Sequence, residues 1–170
     1  GMAMTTGDYN VAIGESAAIA MVGDGNYNTA IGKNALATEA SAADECVAIG
    51  HNALLTQNNA ASINLAIGGG AGLIVSTGTK NVLIGHAAGN AIQDDDNNTA
   101  LGYNALKAAT AGSGNTAIGS LAMGLGAVTG NGNTCLGYVA GYDLTGGDSN
   151  VMIGQAAGYN ATTGKQNVII

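Results

Sequence analysis

The five residues Asn-Thr-Ala-Ile-Gly at 28–32 return unchanged at 115–119, and near-copies stand at 10–14, 64–68, 81–85 and 98–102. Aligned on the closing glycine, the boxes end at Gly14, Gly32, Gly50, Gly68, Gly85, Gly102, Gly119, Gly137 and Gly154, always 17 or 18 residues apart. A further box, Asn167-Val168-Ile169-Ile170, stops one residue before its glycine. The chain is therefore one short unit written about ten times, and any fold must satisfy every copy in the same way.

A unit this short cannot hold a helix pair, because helical repeats need more than about 30 residues. β-branched residues in short runs bounded by Asn and Gly predict strands. One strand and one return segment per unit make one coil of a β-solenoid, with coils stacked about 4.8 Å apart. The fold class expected is all-β, a parallel β-roll of about ten turns. The composition agrees: the chain has 29 Gly and no Phe, Trp or Pro, so its interior must be thin and filled by Ile, Val, Leu and Ala. With 46% hydrophobic and 9% charged residues, it is the reverse of a disordered chain.

Each column of the repeat carries its own chemistry. Asn opens every box except the one at Cys46, and stacked Asn side chains predict an amide ladder. Gly supplies the freedom the corner after the strand requires. In one copy these roles fall to Asn28, Ile31, Gly32 and Ala35, and in another to Asn115, Ile118, Gly119 and Ala122. Alternation along the strand puts the Val/Thr and Ile columns on one side and the middle, mostly Ala, column on the other. Both sides are apolar, the pattern of a strand covered on both faces. The expectation is that the Ile side lines the roll and the small Ala side meets another chain, giving an oligomer, most simply a trimer.

The columns N-[TV]-A-I-G-x-x-A-[LG], repeated over residues 10–170, resemble the head repeats of YadA-like trimeric autotransporter adhesins and, more closely, the repeats of phage-type tail fibres. The resemblance implies a left-handed parallel roll assembled as a homotrimer. It also implies an extracellular place on a cell surface or virion tail fibre, and a non-enzymatic role in displaying loops to a host-surface glycan or protein receptor. Residues 1–9 read as a tag scar (Gly1, Met2) and lead-in. Residues 10–170 read as one repeat domain, a segment of a longer fibre without neck, stalk or anchor. Variable loops at 19–27, 37–45 and 124–132 are where a receptor would be read.

Net charge is −7 with four Lys and no Arg, so the clustered cations that bind nucleic acid or anionic membranes are missing. No run reaches the ~20 apolar residues of a membrane span, and no signal peptide is visible. No catalytic arrangement stands out, so an enzyme is not expected, and neither is a cofactor. Asp94, Asp95 and Asp96 form an acidic loop that could hold Ca²⁺ but lacks EF-hand spacing, so a solvated loop is the plainer reading. Tyr103, Tyr138, Tyr142 and Tyr159 are candidates for ligand contact, as are His51 and His86, which share the column after the glycine. Cys46 and Cys135 lie five turns apart, too far to bridge within a chain. Cys135 falls in the column expected at the trimer axis, where it would approach its own copies. Two other functions remain open. Thr29, Thr99, Thr116 and Thr134 share a column and could bind ice if that column faced outward on most turns. A polysaccharide-cleaving solenoid would need a groove of converging carboxylates.

Overall fold

The computed structural model describes residues 7–20, 25–38, 43–58 and 62–170. Gly1, Met2 and the parts 21–24 and 39–42 of two variable loops lie outside the described residues. Each box is a short strand: β1 (Val11–Ile13), β2 (Thr29–Ile31), β3 (Val47–Ile49), β4 (Leu65–Ile67), β5 (Val82–Ile84), β6 (Thr99–Leu101), β7 (Thr116–Ile118), β8 (Thr134–Leu136), β9 (Val151–Ile153) and β10 (Val168–Ile169). They form a single parallel sheet in sequence order. Column pairs with column throughout, as in Ala30 with Ala48 and Leu83 with Ala100. The fold is a β-solenoid, with nine full turns between the first strand and the last.

The box glycine turns the corner. Gly32 has φ 129, and a Cβ there would lie 2.6 Å from the carbonyl oxygen of Gly50 in the next turn. Three further residues per turn are left-handed, in this turn Asn34 (φ 56), Leu36 (φ 50) and Glu45 (φ 56). Because every unit repeats this bend, the corners stack. Asn34 N–H donates to Glu15 O of the preceding turn, and Leu36 N–H donates to Ala53 O of the following one.

The interior is lined by the middle column of the strand, and this reverses the expected orientation. Ala30, Ala48, Ala66, Leu83, Ala100, Ala117, Cys135 and Met152 are buried, whereas the Val/Thr and Ile/Leu columns face outward and are half-buried or exposed. Ile31 and Ile118 therefore lie on the outer face, and Ala does not form a surface for a neighbouring chain. Cys135 likewise lies in the interior, not at an axis between copies. The physical reason is space. A coil of 17–18 residues returns close to its own strand, with the corner alanines (Ala35, Ala122) and the residue after them packed opposite. Such a cavity has no room for Ile on every rung, since large side chains there would overpack.

The row is filled by turns (here, coil by coil) from two facing columns. On four of the six strands that offer Ala, the residue after the corner alanine is large, namely Leu36, Leu54, Leu106 and Met123, whereas Ala12 and Ala66 are matched with Ala18 and Gly72. Where the strand offers Leu83, Cys135 or Met152, that residue is Gly89, Gly141 or Gly158. A Cβ at Gly89 would lie 2.5 Å from Leu83 Cδ2, one at Gly141 2.5 Å from Cys135 Sγ, and one at Gly158 would run into Met152 Sδ. Large side chains on the two facing columns thus avoid meeting within one turn.

Candidate interaction surface

The outer face of the sheet carries two unbroken ladders. The first runs through Val, Thr and Leu from Val11 to Val168, and the second through Ile and Leu from Ile13 to Ile170. Neither contains a charged residue. At Ile13, Leu101, Leu136 and Ile153 the side chains are plainly exposed. Because the rungs are in register without a slip, this face is regular from one end to the other.

Two polar ladders hold the entrance to each strand. The expected Asn ladder is present, and it works mainly on the backbone. Asn28 N–H donates to Asn10 Oδ1 at 2.8 Å, Asn115 N–H to Asn98 Oδ1 at 2.9 Å, and Asn150 N–H to Asn133 Oδ1 at 3.0 Å. Most Nδ2 groups reach forward to a loop carbonyl of the next turn, as from Asn28 to Ala43 O at 2.6 Å and Asn115 to Gly130 O at 2.9 Å. At the one box without Asn, Cys46 Sγ donates to Ser62 Oγ at 3.2 Å. The second ladder was not anticipated. Two residues before the box Asn stands Asp, Asn, Ser or Thr on nine of ten rungs, Lys165 being the other. Its polarity is opposite: Asn26 N–H donates forward to Asp44 Oδ1, Thr79 N–H to Asp96 Oδ1, and Asn131 N–H to Asp148 Oδ1, at 2.7, 2.7 and 3.0 Å. The recurring [DNST]-x-N spacing was the available signal.

The acidic loop is divided by these ladders. Asp94 Oδ1 accepts hydroxyl bonds from Ser76 and Thr77, each 2.7 Å, which hold its carboxyl below the usual range. Asp96 belongs to the second ladder. Asp95 points inward and is only 8% exposed; burial, with help from Asp94 and Asp96, pushes its carboxyl up, against a bond from the Gly112 backbone. Its column is otherwise Gly or Ala. Asp95 Oδ2 is a buried polar atom without a partner, and so is Asn98 Nδ2 three residues on. The three carboxyls diverge, and among the described residues no group of three His, Cys, Asp or Glu could hold a metal ion.

The candidate aromatics separate into two strips. Tyr142 and Tyr159 stack with centroids 5.0 Å apart. Tyr103 and Tyr138, each 54% exposed, share the column after the glycine with His51 and His86. Within it His86 stacks on Tyr103 at 5.6 Å. A third pair, Tyr9 on Tyr27 at 5.2 Å, occupies the position before the box Asn. The thiols of Cys46 and Cys135 are buried, and burial pushes the Cys135 thiol up to about 12. No described helix is long and apolar enough to cross a membrane.

Comparison with protein-family models, with curated proteins and with solved structures returned no match.

Proposed function

We propose that this chain is a rigid, non-enzymatic display module that assembles as a homotrimer through its sheet face and presents its loops and aromatic strips for attachment at a host surface. The observation that supports this reading is the outer face itself. Twenty consecutive ladder positions hold only Val, Thr, Ile and Leu, although a sheet face meant for water normally alternates to polar residues. Monomeric proteins rarely leave so long an apolar patch open. Second and third copies of the same regular face, laid parallel, present matching rungs at the same spacing, so every rung finds an apolar partner. The interface thus moves from the Ala column to the Val/Thr and Ile columns, while the expected assembly stays the same. Three copies of each displayed loop then convert weak contacts into avidity.

The test is the mass in solution at low micromolar concentration by light scattering. A value near three times 16.4 kDa is expected, and Ile118→Glu, at mid-face, should lower it towards one chain while leaving the circular dichroism unchanged. A single-chain mass for the parent protein overturns the trimer. That outcome would favour a second reading, an ice-binding face, because Thr99, Thr116 and Thr134 point outward on three consecutive rungs. Thermal hysteresis in the monomer is its test.

A further inference from the structure

The column after the box glycine is an aromatic ladder with rungs missing. In order it reads His51, Gly69, His86, Tyr103, Ser120, Tyr138. Backbone bonds fix the rung spacing here: Leu121 N–H donates to Tyr103 O at 2.8 Å, and Val139 N–H to Ser120 O at 3.0 Å. Tyr103 and Tyr138 are therefore two rungs apart, about 9.6 Å, with only a serine between them. His86 covers the opposite face of Tyr103, so that ring is held and its free face looks towards Ser120. Stacked rings prefer centroids 4.5–7 Å apart. The gap over Ser120 is therefore the width of one more flat ring, lying about 4.8 Å from each neighbour.

We propose that this gap is a binding slot for one pyranose ring of a neutral glycan. A pyranose has apolar C–H faces for the two tyrosine rings and a hydroxyl rim for the polar groups at the edges, namely Ser120 Oγ and the tyrosine hydroxyls. No residue of this column from His51 to Gln155 carries a carboxylate or an ammonium group, so neither a cationic nor an anionic guest finds a counter-ion here. The net charge of −7 adds long-range repulsion against sialylated, sulfated or phosphorylated ligands. An aromatic side chain would fill the width but leave the polar rim unmatched. The inference names what the proposed display module would recognise, and the slot is complete within one chain.

Saturation-transfer NMR on the intact protein is the test. The probes are neutral methyl glycosides (glucoside, galactoside, mannoside and N-acetylglucosaminide), with sialyllactose, N-acetyltyrosinamide and argininamide as comparisons. Transfer to the ring protons of at least one neutral glycoside is expected. It should vanish in Ser120→Tyr, which fills the gap with a residue the column already carries twice, and in Tyr138→Ala, which removes one wall. Tyr159→Ala, on the other strip, should keep it. Absence of transfer to every neutral glycoside, its survival in Ser120→Tyr or in Tyr138→Ala, or transfer only to a comparison probe would each overturn the proposal. Light scattering on the same samples separates loss of the slot from loss of assembly, since Ser120→Tyr should leave the mass unchanged.

Discussion

In the turn that begins with β5, Leu83 reaches from the strand into the interior, Gly89 stands opposite, and Ile92 closes the side. In the next turn Ala100 is on the strand, Leu106 opposite, and Ala109 at the side. The backbone is the same in both, down to left-handed φ at Gly89 (57) and Leu106 (51), yet the large side chain enters from opposite walls. The two turns show that strand and return segment share one interior, and that either column can supply the large side chain between them.

That comparison can be broken by force. Leu83→Ala should cost about 2–5 kcal/mol, the range for a buried Leu that leaves a cavity. Gly89→Leu, forced against Leu83 and Ile92, should cost about 3 kcal/mol by overpacking. The triple change Leu83→Ala, Gly89→Leu, Ile92→Ala rewrites turn five with the residues of turn six. If the two columns trade size, the triple variant should be more stable than the sum of its parts by about 0.5–3 kcal/mol, the range in which sites in contact couple. Urea unfolding followed by circular dichroism measures all three, and a triple variant as weak as the sum of its parts would refute volume compensation.

The turns that begin with β6 and β7 differ in their polar ladder, which gives a smaller effect. Asn115 accepts from Asn133 N–H and donates to Gly130 O. Asn98 accepts from Asn115 N–H, but its Nδ2 has no partner. Asn115→Ala should therefore cost about 1–3 kcal/mol, and Asn98→Ala clearly less. Equal losses would mean that the forward bond to the loop contributes nothing.

Asp95 sharpens the contrast through pH. Its folded carboxyl is raised, so the native state holds that proton more tightly than the unfolded chain. Stability should rise as pH falls through the raised value, with the gain complete below the ordinary carboxylate value of about 3.9. Asp94, lowered by its hydroxyl partners, works in the opposite sense and only further down. Its contribution is present above about 3.9 and is lost as pH falls through its own lowered value. Melting temperatures across that range should show a gain and then a loss. Asp95→Ala, which restores the small residue of the column, should abolish the gain and raise stability at neutral pH by about 1 kcal/mol, the lower end for an unpartnered buried group. An effect of similar size is expected at Ile63, β-branched, exposed and left-handed at φ 42. Ile63→Gly should stabilise by about 1 kcal/mol, because a left-handed conformation costs an L-residue that much. A destabilised variant would mean that the Ile63 side chain packs to advantage.

Much of this was readable from the repeat. The strand positions, the parallel register, the Asn ladder and the glycine corner all follow from columns that keep their type, Cys46 in the Asn column excepted. The inward face was not readable by alternation, because both faces of the strand are apolar and period two assigns sides without saying which is inside. The exchange between columns was a usable signal: Leu83, Cys135 and Met152 each meet a Gly six residues on, and Ala30, Ala48, Ala100 and Ala117 each meet Leu or Met. Two columns that trade size must share one cavity. The aromatic slot was half visible, since His51, His86, Tyr103 and Tyr138 share a column. Its width depended on the stacking of His86 on Tyr103, which the column alone does not give.

By itself the sequence determined the period, and with it the register. A one-residue slip would turn every side chain to the other face and break both polar ladders at once. Only the tertiary structure decided which face is the interior. That depends on how closely the return segment approaches its strand, and four left-handed bends per turn bring it so near that alanine is the residue on most rungs. The Ile and Val ladders are left facing outward.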